Sequence, residues 1–465
     1  MREHYDVLVA GGGPAGSTAA LLLARQGFSV CLIERDEHPR FHIGESILPR
    51  TTPLLRELGL EEELKKLPKV PKLGAEIGMG NNPKTRMFTF KEGLLPGFPV
   101  FNIERSYLDQ MLFAQAAAAG AATFQKTTVK AITRLEDGAV ALSTSRGDVR
   151  GRVLVDASGH GTLVGRHLKL RENFDDPNLQ KVAYFEHFES VWRPPGEESG
   201  HPAIIMCEEG WFWIIGISET KTSVGFVTRP SFVKTLNIPA RQMLAWAVAR
   251  CPVVRARMKD AAGPAENEVI SDFSYRCRPY AGAGYFMVGD AACFLDPIFS
   301  TGVTLAMVSA QETARLTAGM LRGEMTPKKA QRAHIAFIEG STKPFWRLIR
   351  SYYSHSFREL FMDGGGQLQM PGAIISILAG QVFPRPAWAL RWRHRAFDAC
   401  VWMQQRLALA PHLPRCRLVE NEAIEPAYLT RATAGPGAVA TANSARASEM
   451  STVSQRGQMA AAMPV

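Results

Sequence analysis

A glycine-rich turn between a short apolar strand and a helix constrains the fold of this chain more than any other feature. The letters YDVLVA predict a buried strand, STAALLLARQG a helix and FSVCLIER a second strand. Between the first strand and the helix, Gly11, Gly13 and Gly16 follow the pattern GxGxxG. The first glycine permits a tight turn, the second lets a diphosphate approach the backbone, and the third lets helix and strand pack closely. The pattern therefore predicts an α/β fold that binds a dinucleotide.

An acidic residue ends the second predicted strand. Glu34 lies where a carboxylate can accept hydrogen bonds from ribose hydroxyls. The diphosphate is expected at the N-terminus of the helix, where free N–H groups and the helix dipole favour anions. Strand, turn, helix, second strand and acid occur in the required order, but this order alone is compatible with either NAD or FAD.

Two later predicted strands each end in an aspartate, Asp156 in VLVDASG and Asp290 in VGDAACFLDP. Together with the glycine turn, Glu34, and Arg105 in FNIERSYLDQML, these segments resemble the FAD-dependent monooxygenase superfamily typified by para-hydroxybenzoate hydroxylase. The resemblance implies FAD as the cofactor and an α/β fold with a Rossmann-like FAD-binding domain. It also implies that Asp290 contacts the ribityl chain and that Arg105 lies along the cofactor.

Two further segments narrow the resemblance to flavin-dependent halogenases. RFHIGESILP, residues 40–49, is similar to the segment that passes close to the flavin, and DPIFSTGVTLA, residues 296–306, is similar to the halide-binding turn. The resemblance implies that the backbone N–H groups of Thr301 and Gly302 hold chloride or bromide as an anion nest at a helix start. Gly302 is expected to permit a strained turn there. By the same resemblance, the residues that contact FAD include Ala15, Arg40, Gly44, Glu45, Ser46, Asp156, Pro297 and Gly302.

The stretch GWFWIIGI, residues 210–217, contains a pair of tryptophans. Alternation along a strand places Trp211 and Trp213 on one face and Phe212 on the other. Flavin-dependent halogenases carry Trp-x-Trp-x-Ile-Pro, and Gly216 stands here in place of the proline. In that family the tryptophans are proposed to keep organic substrate away from the flavin. The resemblance implies the same barrier, whereas two core tryptophans on one sheet face are the structural alternative.

Halogenases also require a lysine in a Lys-x-Gly-Ala setting, which PKLGAEI supplies as Lys72. Its implied role is to hold hypohalous acid, or to carry the halogen as a haloamine, beside the substrate. Lys65, Lys66 and Lys69 lie close by, and any of them could be an exposed charge. The choice of Lys72 among the four lysines therefore rests on its match to the Lys-x-Gly-Ala pattern.

One departure from the family bears on the substrate. Tryptophan halogenases have a glutamate two residues before the threonine of the halide turn, where this chain has Phe299. An electron-rich phenol or pyrrole, free or bound to a carrier protein, does not need that carboxylate. The resemblance therefore implies a halogenase that uses FADH2 to install chloride or bromide on such a ring. No second nucleotide fold is visible, so reduced FAD is expected from a separate flavin reductase.

Three other functions remain open on the sequence. A hydroxylase or epoxidase of the same fold would let the organic substrate react at the flavin itself, and Gly216 is its best support. A reductase of isoprenoid chains has no use for a halide turn or a lysine. A non-catalytic module could use the basic helical region to bind a carrier protein.

Composition limits the partners. The chain has 465 residues and a formal net charge of +10, but no nucleic-acid motif accompanies the charge. The seven cysteines are scattered without a CxxC or Cys/His cluster, so no metal site is expected. Residues 371–397 could lie on a membrane surface, although a solvated helical surface is the favoured interpretation. The amino terminus shows no export leader, which predicts a cytoplasmic protein.

The domain prediction divides the chain into four parts. Residues 1–180 and 270–325 are predicted to form a discontinuous FAD-binding domain, and residues 75–100 and 181–269 an antiparallel substrate sheet. Residues 326–420 are predicted to form a C-terminal helical region. Residues 433–465 are small and polar with no apolar period, so they are predicted to be disordered.

Overall fold

The computed structural model describes residues 2–429 apart from residues 96, 175, 177, 178, 272, 273, 364–368 and 384. Its strands are β1 His4–Ala10, β2 Val30–Ile33, β3 Val70–Lys72, β4 Gly74–Met79, β5 Thr85–Thr89, β6 Val100–Asn102, β7 Ala122–Phe124, β8 Val129–Glu136, β9 Ala139–Thr144, β10 Gly147–Asp156, β11 Arg171–Asn173, β12 Val182–Glu189, β13 Ala203–Met206, β14 Gly210–Gly216, β15 Lys221–Thr228, β16 Glu268–Ile270, β17 Tyr275–Cys277, β18 Ala281–Gly282, β19 Tyr285–Met287 and β20 Cys293–Phe294. Its helices are α1 Pro14–Arg25, α2 Thr51–Glu57, α3 Glu61–Lys65, α4 Arg105–Ala118, α5 Leu163–His167, α6 Pro230–Val233, α7 Met243–Arg250, α8 Pro252–Arg257, α9 Gly302–Leu321, α10 Pro327–Tyr352, α11 His355–Asp363, α12 Met370–Leu378 and α13 Trp388–Leu407.

The first sheet carries the glycine turn. Its strands follow the order β18-β19-β10-β1-β2-β7, and β9 and β8 extend it from β10. β1 pairs in parallel with both β10 and β2, and Val7 and Leu8 within it are completely buried. Open α/β sheets bind ligands beyond the carboxyl ends of their strands, at the point where the strand order diverges. The glycine turn follows β1 at this point, and the predicted α/β fold class is confirmed.

The second sheet presents the tryptophan pair, Trp211 and Trp213, to the first. Its order is β16-β12-β15-β14-β13-β4-β5. The tryptophan pair joins the core shared with the first sheet, whereas Phe212 and Phe226 join a second core with residues of α7 and α8. One strand pair corrects the prediction of an antiparallel sheet, because β13 and β4 run parallel. The residues between these strands build much of the first sheet, so β13 returns to β4 by a crossover and not by a hairpin.

Helices follow one another from Gly302 to Leu407, as the sequence predicts. α12 packs against the segment after β5, where the N–H of Leu95 donates to Ser376 Oγ at 2.9 Å. Within the described residues, no helix is both long and apolar enough to cross a bilayer. The four domain ranges stay a prediction, and the predicted disordered tail lies outside the described residues.

Candidate active site

The glycine turn excludes any larger residue at two of its three glycines. Gly11 has a φ of 107°, and a Cβ there would lie 2.2 Å from the carbonyl oxygen of Ala157. A Cβ on Gly16 would lie 1.8 Å from the carbonyl oxygen of Gly11. The turn therefore brings α1 against the end of β1 and against the loop after β10, an approach that only glycine allows.

Gly13 leaves an opening at the start of α1. It is the N-cap of the helix, and the nearest atom to a Cβ on Gly13 would be Nη2 of Arg40, 3.6 Å away. The N–H of Ala15 is among the first of the helix, which have no acceptor within it. A diphosphate fits this opening, since the helix N-terminus and the Arg40 guanidinium both favour an anion.

Glu34 lies directly beside this turn. Its Oε2 accepts a hydrogen bond from the N–H of Gly12 at 2.6 Å, and its Oε1 accepts one from the N–H of Asp36 at 2.9 Å. Nη2 of Arg40 lies 3.7 Å from Oε2. These contacts fix a carboxylate at the carboxyl ends of β1 and β2, where a ribose can donate to its remaining lone pairs.

Arg105 is held by an aspartate that the sequence pattern did not single out. Its Nε and Nη2 donate to the two carboxylate oxygens of Asp109 at 2.8 and 2.9 Å, and its Nη1 donates to the carbonyl of Ile43 at 2.9 Å. Burial alone would raise the pKa of Asp109, but the Arg105 guanidinium, together with His42 and Arg40, outweighs burial and the pKa ends below its ordinary value. Arg105 is therefore fixed beside residues 43–46.

The two aspartates at strand ends have different surroundings. Asp156 is completely buried, and its oxygens accept from the N–H groups of Ser158 at 3.0 Å and Val164 at 2.7 Å. It therefore fastens its own loop, and its contact with FAD stays a prediction. The side chain of Asp290 keeps 25% exposure, and its Oδ2 lies 3.9 Å from Nε2 of His160. Asp290 is the aspartate that stays accessible.

The GES segment, residues 44–46, lies between Arg105 and the second sheet. Gly44 has a φ of 107°, and a Cβ there would lie 3.1 Å from Nη1 of Arg105. Oε1 of Glu45 lies 2.8 Å from Nε2 of His187 on β12. Ser46 forms an isolated antiparallel bridge with Asn102. Backbone and side chains together therefore fix this segment between the two sheets.

Two buried polar atoms indicate a ligand along this path. Within the described residues, Oγ of Ser46 and Nε of Arg40 are buried without a hydrogen-bond partner. Buried polar atoms in native proteins are normally bonded. A dinucleotide that extends from the glycine turn to the GES segment would supply partners to both atoms, so the residues present fit FAD.

The turn that is predicted to bind halide, residues 296–302 and called the halide turn below, begins with an aspartate that caps it. Oδ1 of Asp296 accepts a hydrogen bond from the N–H of Ile298 at 2.9 Å, at the start of a single 3-10 turn over Pro297–Phe299. Ser300 follows with a φ of 54°, in the left-handed region. A non-glycine residue persists in that region only where its surroundings fix it.

The position of Ser300 corrects one expectation. The sequence assigned the strain of the halide turn to Gly302, but Gly302 takes ordinary helical geometry as the first residue of α9, with Thr301 as the N-cap. A Cβ on Gly302 would meet nothing within 4 Å. Gly302 therefore leaves open space at a helix N-terminus, which still suits an anion.

The tryptophan pair lies on one sheet face, as alternation predicts. The ring centroids of Trp211 and Trp213 are 6.0 Å apart at an interplanar angle of 51°. Nε1 of Trp213 donates to Oγ of Ser223 at 3.0 Å. A Cβ on Gly225 of the neighbouring strand would lie 2.2 Å from the indole of Trp213. Only glycine at that position leaves room for this indole.

Lys72 is a buried amine at the end of β3. It is 3% exposed, its Nζ donates to the carbonyl of Ile47 at 2.9 Å, and Nζ lies 5.5 Å from the ring centroid of Phe90. Burial lowers the pKa of Lys72 to about 7. Both the ammonium and the neutral amine are therefore populated at neutral pH.

The other lysines of this segment have different surroundings. Nζ of Lys69 donates to three backbone carbonyls at the end of α3. Lys65 and Lys66 form exposed ion pairs with glutamates of the same helix. The structure thus separates Lys72 from the three lysines that the sequence could not exclude.

Several side chains near these segments were not predicted, among them Asp109, His160, His187 and His201. Asp109 could have been, since it lies four residues after Arg105, the spacing at which side chains on a helix meet. His160 and His187 reach the segments from elements far away in the chain, so no local pattern indicates them. His201 is 5% exposed, and neither of its ring nitrogens has a hydrogen-bond partner within the described residues.

Comparison with known proteins decides the family. The FAD binding domain family matches residues 4–335. The 1H-pyrrole-2-carbonyl-[peptidyl-carrier protein] brominase of Pseudoalteromonas luteoviolacea is 32% identical over 400 residues, which are 83% of this chain and 94% of the relative. The chain belongs to the flavin-dependent halogenases. It is an FAD-dependent oxidoreductase, and halogenation is supported over hydroxylation or epoxidation.

Two further relatives agree with this assignment. The corresponding chlorinase of Pseudomonas fluorescens is 29% identical over 417 residues, covering 82% of this halogenase and 91% of the relative. The solved structure of the flavin-dependent brominase Bmp2 has a TM-score of 0.76 at 28% identity, and the match covers 87% of this halogenase and 100% of that chain.

This halogenase departs from the family motif at Gly216. A Cβ there would lie 1.6 Å from Nη1 of Arg193, whose Nη2 donates to the carbonyl of Ser218 at 3.0 Å. The carbonyl of Gly216 accepts from Nδ2 of Asn102 at 3.1 Å. The Arg193 guanidinium thus occupies the space that any side chain at position 216 would need.

Proposed function

We propose that this halogenase transfers chlorine or bromine to an electron-rich aromatic ring through the amine of Lys72. The observation that carries the proposal is the burial of that amine, which is 3% exposed and has a pKa lowered to about 7. About half of Lys72 is then neutral at pH 7, and only the neutral amine has a lone pair that can accept a halogen. An exposed lysine would be almost entirely protonated.

The chemistry divides between FAD and the side chains. Reduced FAD, when bound, would supply two of the four electrons that reduce dioxygen, and the halide would supply the other two and become hypohalous acid, with water as the second product. The Lys72 amine and hypohalous acid then form a nitrogen–halogen bond and release water. The ring attacks that halogen, loses its proton and restores the amine. Thr301 and Gly302 hold the halide in this proposal, and the tryptophan pair keeps the ring away from FAD.

The substrate class that we propose is a pyrrole bound as a thioester to a carrier protein. Both pyrrole relatives are named for such a substrate, and they match this halogenase over 94% and 91% of their length. Phe299 supports an electron-rich substrate ring, because it offers no carboxylate to the substrate. Its apolar side chain packs edge-on against Tyr352, with the two ring centroids 5.5 Å apart.

Product mass tests this function. The purified protein is supplied with a flavin reductase, NADH, FAD and bromide, and with pyrrolyl thioester on the carrier protein of the Pseudomonas fluorescens relative, next to free pyrroles and phenols. We expect a product with the isotope pattern of bromine that requires bromide. A product that gains only an oxygen atom would contradict halogenation.

The supply of reduced FAD gives a separate prediction. The sequence has one dinucleotide turn, which FAD is expected to occupy, and no second GxGxxG pattern follows a predicted strand. We therefore expect the FAD-loaded protein alone to oxidise NADH at the background rate, and added flavin reductase to start turnover. NADH absorbance measures both rates, and rapid oxidation without reductase would contradict the separate partner.

The pH dependence of halogen transfer follows from Lys72. Because the neutral amine reacts and the pKa is about 7, the ratio of halogenated product to FADH2 oxidised is expected to rise between about pH 6 and pH 8 and then level off. Saturating bromide removes any effect of pH on halide binding. A ratio that stays constant over this range would contradict reaction through the Lys72 amine.

A further inference from the structure

The hydroxyl of Tyr353, next to the end of α10, connects the tryptophan pair to the halide turn. Nε1 of Trp211 donates to this hydroxyl at 3.2 Å, and the hydroxyl donates to Oδ2 of Asp296 at 2.9 Å. Tyr353 lies more than fifty residues after the halide turn in the chain. It is therefore a tertiary support for that turn, which no local sequence pattern indicates.

Asp296 transmits this contact to the halide turn. Its second oxygen accepts from the N–H of Ile298 at 2.9 Å and caps the 3-10 turn, after which Ser300 takes its left-handed conformation. Hydrogen bonds to a charged oxygen are stronger than neutral ones and fix orientation. The direction of the Asp296 carboxylate thus sets the path of the backbone into Thr301.

A buried lysine completes the cluster. Nζ of Lys181 lies 3.9 Å from the ring centroid of Tyr353, and the side chain is 5% exposed. Burial lowers the pKa of Lys181 to about 8 and raises that of Asp296 to about 6, so both groups are ionised at neutral pH. The ammonium offsets a carboxylate that would otherwise repel a halide bound at the same turn.

We propose that Tyr353 is a positioning residue for halide binding, which acts through Asp296. The inference rests on the proposed halide site at Thr301 and Gly302. Tyr353 orients the carboxylate that shapes this site, and through Trp211 it ties the site to the tryptophan pair. Nothing in the geometry requires Tyr353 to touch halide, FAD or ring.

The neighbouring Tyr352 offers a matched control. It is 1% exposed, and within the described residues its hydroxyl has no hydrogen-bond partner. Tyr352→Phe and Tyr353→Phe each remove one oxygen atom at the end of the same helix and keep the ring. Only Tyr353→Phe removes a hydrogen bond to Asp296.

The experiment measures the bromide KM of both variants, with reductase, NADH and the acceptor that the wild-type protein brominates best. We expect Tyr353→Phe to raise the bromide KM about tenfold, the scale of one hydrogen bond to a charged group, with kcat and FAD occupancy within about twofold of wild type. Tyr352→Phe is expected to keep the wild-type KM. In an Asp296→Ala background, which has no acceptor for the Tyr353 hydroxyl, Tyr353→Phe should change the KM by less than about twofold, since contacts that act through one residue are not additive.

Two further readouts keep the test decisive. Bromide titration of the visible flavin spectrum measures binding without turnover, and Lys181→Met is expected to weaken that binding in the same direction. An unchanged bromide affinity in Tyr353→Phe, or an equal change in Tyr352→Phe, overturns the positioning role. Loss of FAD together with activity in Tyr353→Phe would likewise show a general structural role. If the wild-type protein brominates nothing, the proposed function itself fails, and this inference fails with it.

Discussion

Replacing Lys72 with methionine is expected to lower halogenated product at least about 100-fold, the lower end of what loss of a positioned catalytic group costs. FADH2 oxidation is expected to continue, because Lys72 acts after hypohalous acid has formed. Hypohalous acid should then leave the site and accumulate in place of product. Quantifying product and hypohalous acid, trapped by an added thioether, per FADH2 oxidised separates the two steps.

Lys69→Met is the matched control for this substitution. Lys69 lies three residues earlier, but its Nζ is bonded to backbone carbonyls at the end of α3, so its loss is expected to leave the product ratio unchanged. Halogenation at the wild-type rate by Lys72→Met would contradict the role of Lys72. Equal loss in both variants would indicate damage to the segment as a whole.

Replacing Lys72 with methionine also has a predictable effect on the stability of the fold. Burial lowers the pKa of Lys72 from 10.5 to about 7, so the unfolded chain holds the proton more tightly than the folded one. The resulting loss of stability grows as the pH falls from about 10 to about 7 and is complete below about 7. Lys72→Met should therefore raise the Tm more at about pH 6.5 than at about pH 9.5. A stabilised but inactive variant would exclude unfolding as the cause of lost activity.

Trp213→Ala carries the second large expected effect. If the tryptophan pair is a barrier, this truncation lets water or organic substrate reach FAD. The ratio of halogenated product to peroxide, per bound flavin, is then expected to fall about tenfold. Truncating a buried aromatic also costs roughly 3–5 kcal/mol of stability. The ratio is therefore measured only on protein that retains FAD.

Phe212→Ala is the control for that cost. Phe212 is completely buried on the same strand, but it faces the second core and not the first. We expect Phe212→Ala to lower the Tm and the yield of FAD-loaded protein without changing the ratio per bound flavin. If Trp213→Ala also leaves the ratio unchanged, both tryptophans are only core residues and the barrier is excluded.

What the sequence could predict depended on local chemistry. The positions of Gly11, Gly16 and Glu34 follow from strand, turn and helix in order, and the structure explains the two glycines by backbone approaches that only glycine permits. The shared face of Trp211 and Trp213 follows from strand alternation. These features need only neighbouring residues to specify them.

The features that the sequence did not predict arise from tertiary contacts. Tyr353 and Lys181 reach the halide turn from separate elements, and neither position carries a pattern of its own. The strain in that turn lies at Ser300 and not at Gly302, because Asp296 caps the preceding 3-10 turn and sets the backbone path. The parallel pair of β13 and β4 depends on a long crossover, which strand periodicity cannot reveal.

The central claim is that halogen passes through the amine of Lys72, and trapping it there is the most direct test. The protein is given FAD, reductase, NADH and bromide without any aromatic acceptor, then digested and examined by mass spectrometry. We predict one bromine on the peptide that contains Lys72, absent without bromide and lost when an acceptor is added before digestion. Bromine on other lysines only, or on none, in protein that brominates the acceptor would contradict the claim.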